Sequence, residues 1–177
     1  MLLMCLCALL WSIGGLFIKL LPWHPAAICG ARSGISAVII YIYMRSKGYR
    51  LVLDAPLVWL SGLGLMGTML LFVSANKLTT SANAIVLQST SPLYIMVISA
   101  LFLRARYSRR ELVMVGIVMA GIALFFFYQL TPGGLLGNLL ALLSGMTMAT
   151  MFVTSSRLPD DQSSMSALVL GHCGAGL

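Results

Sequence analysis

Arg32 is the residue best suited to bind a charged ligand, because it lies inside an apolar segment, residues 26–44, that has no other charge. At about 1.5 Å per helical residue, it lies roughly 10 Å from the start of that segment. A guanidinium at this depth is costly unless it faces water, a partner or a bundle interior. We expect Arg32 to face a polar cavity that favours solutes with a carboxylate or phosphate. The alternative is that the arginine side chain extends to a lipid–water interface or donates hydrogen bonds to backbone carbonyls.

A second group of polar residues precedes a proline. Gln88, Ser89, Thr90 and Ser91 stand directly before Pro92 in another apolar segment. Proline removes one backbone hydrogen bond and obstructs the carbonyl four residues earlier, which is that of Gln88. Freed carbonyls and polar side chains predict a break in the helix, with Gln88 and Ser91 as candidate substrate contacts. A helix kink that serves only packing, with the freed carbonyls hydrogen-bonded by the serine and threonine hydroxyl groups, explains the pattern equally well.

Three further side chains are candidate substrate contacts: Trp11, Lys19 and Asn76. Trp11 falls near the middle of an apolar segment, where its indole N–H needs a partner, although core packing is the ordinary alternative. Lys19 lies one turn from a segment end, where a lysine also reaches the interface at little cost. Asn76 lies near the end of its segment and is a candidate contact of an outer gate.

The sequence offers no catalytic, metal or cofactor site. The four cysteines show no metal-ligand spacing, and His24 and His172 lie in different regions. The motif GLGLMG at residues 62–67 formally matches a dinucleotide fingerprint, but no strand precedes it, so it predicts a helix-packing surface instead. Ala26, Gly30 and Gly34 likewise form a ridge suited to close helix contact, from which Arg32 points away. We expect neither an enzyme nor a bound metal or cofactor.

The composition identifies the solvent of these segments. Of 177 residues, 60% are hydrophobic and 8% are charged, whereas soluble domains are about one quarter charged. The net charge of +7 would favour nucleic acid in a soluble protein, but here the bases lie between long apolar runs. We expect an all-α polytopic protein in a lipid bilayer, without a nucleic-acid partner. A homo-oligomer is compatible with the sequence.

Runs of about 20 apolar residues predict seven transmembrane helices, the last of them short. They cover residues 2–21, 26–44, 57–76, 81–103, 112–130, 135–156 and 163–177. When alternate loops are assigned to opposite sides, one side receives eight bases and the other receives Lys19 and Lys77. The eight are Arg45, Lys47, Arg50, Arg104, Arg106, Arg109, Arg110 and Arg157. This bias predicts a cytoplasmic N-terminus and a bacterial inner (plasma) membrane.

A weak internal repeat divides the chain. ALLWSIGGLF at residues 8–17 resembles ALLSGMTMATMF at residues 141–152 with a gap of two residues. Five predicted spans separate the two copies, so the second enters the membrane from the opposite side, as in inverted-repeat transporters. We predict a first five-helix repeat at residues 1–130 and the start of a second at residues 131–177. The short seventh span leads us to expect a chain that stops within the second repeat.

Five segments carry a resemblance to a known family. They are LWSIGGLFIK at residues 10–19, ARSGISA at 31–37, ANKLTTSANA at 75–84, LQSTSPL at 87–93 and residues 116–121. The chain resembles the EamA-type branch of the drug/metabolite transporter superfamily, whose members have ten spans in two inverted repeats. One departure stands at Arg104 and Ala105, where the family usually has Gly-Glu. The resemblance leaves Glu111 as a candidate substitute for that glutamate.

Together these observations predict a secondary transporter that exports small polar metabolites, such as amino-acid-like solutes, by alternating access. All four acids, Asp54, Glu111, Asp160 and Asp161, lie in predicted loops. Proton-coupled carriers often use a carboxylate within the membrane, so coupling would lie outside this sequence, or the protein would be a facilitator. The alternatives are a membrane scaffold that does not transport and, less favoured, an intramembrane enzyme.

Overall fold

The computed structural model describes residues 5–6, 17–129 and 134–176, and the part it describes is helical. Residues 17–20, near the end of the first predicted span, are helical. Seven longer helices follow: α1 (Pro25–Ser46), α2 (Pro56–Leu78), α3 (Ser81–Gln88), α4 (Ser91–Leu103), α5 (Arg109–Gln129), α6 (Leu135–Ser155) and α7 (Asp161–Gly176).

Local sequence signals account for the helix boundaries. Proline occupies the first turn of α1, α2 and α4, where its missing N–H would have no helical partner. Gly48 follows α1 with φ of 73°, which lets the amide of Tyr49 donate to the carbonyl of Met44 at 2.9 Å. Asp160 accepts from the amide of Ser163 at 2.7 Å and thereby caps α7.

Helix α2 is the centre of the bundle and packs against α1, α3, α6 and α7. It runs antiparallel to α6 along its whole length, from Ser61 beside Ser155 to Leu78 beside Gly137. Glycines permit the close approach: a Cβ on Gly64 would lie 3.0 Å from the amide nitrogen of Met151. The predicted packing role of residues 62–67 is therefore confirmed.

Helix α7 packs between α1 and α2. A Cβ on Gly30 would lie 3.4 Å from the carbonyl oxygen of Gly176, and one on Gly176 would lie 3.6 Å from the amide nitrogen of Gly34. The predicted helix contact is therefore present at Gly30. It is looser at Gly34, where a Cβ would meet nothing within 4 Å, and it does not include Ala26, which is exposed. Helices α6 and α7 thus pack directly on α1 and α2, although the sequence analysis assigns the two pairs to different repeats.

The outer surface of the bundle is apolar, as a surface in contact with lipid must be. Ile35, Val38 and Ile39 of α1 are each about 60% exposed, and Leu112 to Met114 of α5 are similarly exposed. Four helical stretches are long and apolar enough to cross a membrane, namely Pro25–Ser46, Pro56–Leu78, Ser81–Leu103 and Leu135–Ser155. The number of spans in the whole chain stays a prediction.

The predicted break before Pro92 is present. The helix that would cover residues 81–103 is divided into α3 and α4 by a turn at Ser89 and Thr90. Elsewhere the helices extend beyond the predicted spans by up to three residues, so that Arg45 and Arg109 belong to helix ends rather than to loops. Part of the first copy of the proposed repeat, residues 8–16, lies outside the described residues.

Candidate functional site

Arg32 is partly buried between α1 and the neighbouring helix α2. Its Nη2 donates to the sulfur of Met69 at 3.4 Å, and a thioether is a weak acceptor for a charged donor. The chain has four acidic residues, and all of them lie in loops or at helix N-termini: Asp54, Glu111, Asp160 and Asp161. The guanidinium therefore has no carboxylate partner within the membrane-spanning part of the fold that the structure describes.

His172 is the functional candidate that the sequence analysis missed. It lies on α7, which packs against α1 and α2. Its Nδ1 is buried and has no hydrogen-bond partner among the described residues. The only sequence signal would have been a histidine within an apolar segment, which does not show what the histidine contacts.

Gln88 is buried at the break between α3 and α4. Its amide nitrogen donates to Ser144 of α6 at 2.8 Å, and the hydroxyl of Ser144 donates to the carbonyl of Thr68 at 3.2 Å. The hydroxyl groups of Thr68 and Thr147 lie 3.1 Å apart. In this conformation Gln88 joins three helices, which agrees with the packing alternative, and its role in substrate contact stays a prediction.

Ser91 begins α4 on the other side of the same break and is buried. Gly145 of α6 packs on the break, since a Cβ there would lie 3.1 Å from the carbonyl oxygen of Gln88 and 3.4 Å from the hydroxyl of Thr90. Two predicted contacts, Gln88 and Ser91, are thus brought together beside α6. Whether Ser91 contacts a substrate stays a prediction.

Lys19 and Asn76 are also brought together, at what we call the Lys19 end of the bundle, formed by residues 17–24, 76–83 and 134–138. The ammonium group of Lys19 donates to the carbonyls of Thr79 at 2.6 Å and Asn76 at 3.2 Å. These carbonyls end α2, where the helix dipole favours a cation. The geometry therefore gives Lys19 a helix-capping role, and any contact with substrate stays a prediction.

Asn76 is fully buried at the same end. Its side-chain oxygen accepts from the hydroxyl of Ser81 at 2.9 Å, while its amide nitrogen has no partner within the described part of the chain. Beside it, the hydroxyl of Thr79 donates to Asn138 of α6 at 2.8 Å and accepts from Asn83 at 3.3 Å. These hydrogen bonds join α2, α3 and α6 at the Lys19 end.

The opposite end, which we call the Arg50 end, consists of residues 45–55 and 155–166. The backbone amide of Arg50 donates to the side chain of Gln162 at 3.1 Å, and that of Val52 donates to the hydroxyl of Ser166 at 3.0 Å. The loop that follows α1 is therefore held against the first turns of α7. These contacts place Lys47, Arg50 and Arg157 at one end, as the alternation of loops predicts.

The remaining candidates do not join these groups. Trp11 lies outside the described residues. Glu111 accepts from both the amide of Ser108 at 2.7 Å and its hydroxyl at 2.8 Å, so it caps α5. These bonds hold the pKa of Glu111 below its ordinary value. Its carboxylate is thus engaged as a cap, and the proposed substitution for the family's glutamate stays untested.

No cluster of histidine, cysteine and acidic side chains able to hold a metal ion occurs within residues 17–129 and 134–176. The polar groups instead form three sites: Arg32 beside Met69, the helix break at Gln88 and Ser91, and the Lys19 end. What this arrangement can do chemically is to bind a polar solute through hydrogen bonds and one fixed positive charge.

Comparison with known proteins gives one result. A model of the EamA-like transporter family matches residues 1–127. No match was found among curated proteins or among solved structures. The matched residues contain α1 to α4 and most of α5, together with every predicted substrate contact.

Proposed function

The chain belongs to the EamA-like transporter family, and from this premise we propose that it is a secondary transporter that exports small polar solutes by alternating access. The family is one of membrane transporters within the drug/metabolite transporter superfamily. We further propose an inner-membrane location with the N-terminus and the Arg50 end in the cytoplasm. The excess of arginine and lysine at the Arg50 end supports this orientation.

One observation carries the proposal: a partly buried arginine in α1 whose hydrogen-bond partner is the sulfur of Met69 at 3.4 Å. An uncompensated charge in a membrane helix marks a solute pathway more often than a structural contact. A guanidinium offers several donors in one plane, which suits a carboxylate or a phosphate. Arg32 is therefore proposed to bind the charged group of the solute.

The break at Gln88 and Ser91 supplies the second part of the proposed pathway. The carbonyl oxygen of Gln88 and the hydroxyl of Thr90 lie directly against Gly145, so closely that a Cβ there would come within 3.1 and 3.4 Å of them. Separation of α6 from the break would expose these polar atoms to a solute. We propose that Gln88 exchanges its bond to Ser144 for a bond to the solute during the transport cycle.

The two ends are proposed to open in turn. The Lys19 end is joined by Lys19, Thr79 and Asn138, and the Arg50 end is joined by Gln162 and Ser166. Each end therefore has its own set of hydrogen bonds, made of different residues. Alternating access requires two gates that open independently, and the separation of these two sets supports that proposal. Asn76 is proposed to contact the solute at the Lys19 end.

The test is solute efflux from proteoliposomes that contain the 177-residue chain and are loaded with a mixture of labelled amino acids. Wild-type protein should release a subset of the mixture faster than protein-free liposomes. Arg32→Gln should reduce that release about tenfold or more, as the loss of a charged hydrogen bond to the solute predicts. Arg45→Gln is the matched control, since Arg45 lies on the same helix but is exposed at the Arg50 end.

Efflux that is equal in Arg32→Gln and wild type would contradict the assignment of Arg32. Release no faster than from empty liposomes for every solute would favour the alternative of a membrane scaffold. Both variants must be inserted to the same level as wild type, which protease protection of the reconstituted protein measures.

A further inference from the structure

We propose that residues 104–110, which we call the arginine segment, bind the phosphate group of anionic phospholipids. The segment connects α4 to α5, and its four bases, Arg104, Arg106, Arg109 and Arg110, are all arginine. A guanidinium binds two phosphate oxygens through parallel N–H groups, which an ammonium group does not do. The inference concerns the lipid around the protein and goes beyond the transport of a solute.

The guanidinium groups of the arginine segment lack an acidic partner. The acid nearest to them in the sequence is Glu111, and its carboxylate accepts from the amide of Ser108 at 2.7 Å and from its hydroxyl at 2.8 Å. Within the described part of the chain, none of the four guanidinium groups donates a hydrogen bond or forms an ion pair. Positive charges this close in the sequence repel one another, so an anion from outside the chain would relieve the repulsion.

Three of the four arginines stand where the backbone favours another residue. Arg104 has φ of 50° and ψ of 32°, a conformation that glycine adopts without a steric cost. Arg109 and Arg110 are the first two residues of α5, where the helix dipole disfavours a cation. Such departures from local preference are expected at functional positions, and here no contact within the described fold offsets them.

The basic residues of the Arg50 end differ from the arginine segment. They are Arg45, Lys47, Arg50 and Arg157, and the same end of the bundle contains Asp54, Asp160 and Asp161. The loop there is also held on α7 by hydrogen bonds to Gln162 and Ser166. Both groups suit the cytoplasmic side of a membrane, but an excess of positive charge without nearby acids is a property of the arginine segment alone.

The surroundings of the arginine segment favour a lipid over a free phosphate ion. Leu101 and Phe102, at the end of α4, are 72% and 79% exposed, and Leu112 to Met114 of α5 are exposed as well. The arginines thus lie between two apolar surfaces that suit acyl chains. Tyr107, an aromatic residue typical of the membrane interface, stands among them. A phospholipid can contact the apolar side chains and the guanidinium groups at once.

The test places a fluorescent reporter in the arginine segment. Tyr107→Trp, combined with Trp11→Phe, Trp23→Phe and Trp59→Phe, leaves one tryptophan in the chain. The protein is placed in phosphatidylcholine nanodiscs that contain a fixed fraction of brominated phosphatidylglycerol or brominated phosphatidylcholine. Quenching by the bromine atoms measures how much of each lipid lies beside the segment. The association constant for phosphatidylglycerol should be higher by about tenfold or more.

Two variants of equal charge test which basic residues cause this preference. Arg104→Gly with Arg106→Gln should lower the preference about fivefold or more, because two basic residues near an anionic lipid are lost. This variant should fold, since glycine adopts the backbone conformation of residue 104 without strain. Arg45→Gln with Lys47→Gln removes the same charge from the Arg50 end and should keep the preference. The unfolding temperature in detergent checks that both variants are folded.

The proposal is overturned if the two lipids quench the reporter equally, or if the two variants lose the preference to the same extent. Inorganic phosphate provides a further test against sodium chloride of the same ionic strength. An equal effect of the two salts supports a lipid site, because both only screen charge. Loss of the preference in phosphate alone would indicate a site for free phosphate and would overturn the lipid assignment. The efflux test is separate, so either result leaves the transport function standing.

Discussion

The backbones of Gly62 in α2 and Gly171 in α7 are in direct contact. The carbonyl oxygen of Gly62 lies 2.7 Å from the position that a Cβ on Gly171 would occupy, and the Cβ of Leu65 lies 2.8 Å from it. Contacts this close require glycine, because real Cβ atoms essentially never approach another heavy atom within 3.0 Å. The contact fixes how α7 lies against α2.

Gly171→Ala should destabilise the bundle. The added methyl group would force α7 away from α2, and such overpacking costs about 1–3 kcal/mol. The matched control is Gly116→Ala on α5, where a Cβ would meet nothing within 4 Å. Thermal unfolding in detergent should show a lower midpoint for Gly171→Ala and an unchanged or slightly higher one for Gly116→Ala. Equal midpoints for the two variants would contradict the contact.

Arg104→Gly should stabilise the end of α4. Arg104 has φ of 50° and ψ of 32°, the left-handed conformation that glycine adopts without a steric cost. For other residues this conformation costs roughly 1–2 kcal/mol, so the glycine variant should gain about 1 kcal/mol. Arg104→Ala removes the same charge but keeps the strain, and it should show no such gain in unfolding temperature. An equal rise in unfolding temperature in both variants would show that loss of the charge, and not relief of backbone strain, causes the rise.

Lys19→Met should weaken the Lys19 end. The change removes two hydrogen bonds to the carbonyls that end α2, worth about 1 kcal/mol in total for an exposed ammonium group. The expected fall in unfolding temperature is about 2–4 °C. Lys47→Met is the control, because Lys47 lies 5.9 Å from the ring of Tyr43 at the Arg50 end. A midpoint for Lys19→Met as high as that for Lys47→Met would refute the capping role.

Glu111 should titrate below the ordinary range of a glutamate. Its pKa is lowered by hydrogen bonds from the amide and hydroxyl of Ser108. Because the folded-state pKa is the lower one, this contribution to stability is present above the unfolded-state pKa and is lost as pH falls through the folded-state pKa. Glu111 is the chain's only glutamate, so ¹³C-glutamate labelling follows one carboxyl signal. Ser108→Ala should raise its pKa, and an unchanged titration curve would contradict the cap.

The sequence predicted the described helices to within three residues because apolar runs, prolines and charges mark where a helix enters or leaves lipid. It also predicted the break before Pro92 and the packing role of Gly62, Gly64 and Gly67. These features depend on spacing along one segment. The structure then shows which helices those glycines contact, namely α7 for Gly62 and α6 for the other two.

The sequence could not predict which segments are neighbours. His172 is far along the chain from every other candidate, and the burial of its Nδ1 arises only when α7 packs on α1 and α2. Ser144 likewise has no distinguishing feature in the sequence. Its role in joining helices is evident only from the hydrogen bond that Gln88 donates to it at 2.8 Å. For Lys19, the sequence left interface anchoring and substrate contact open, and the fold provides a third role as a cap of α2.

The most direct test of the account is the sidedness of the two ends across a bilayer. In a chain whose native cysteines are replaced by serine, Trp23→Cys places a thiol at the Lys19 end and Lys47→Cys places one at the Arg50 end; both positions are exposed. A membrane-impermeant maleimide should label Trp23→Cys in intact bacterial cells and Lys47→Cys only after the cells are made permeable. Labelling of both variants in intact cells, or the reverse pattern, would contradict the account.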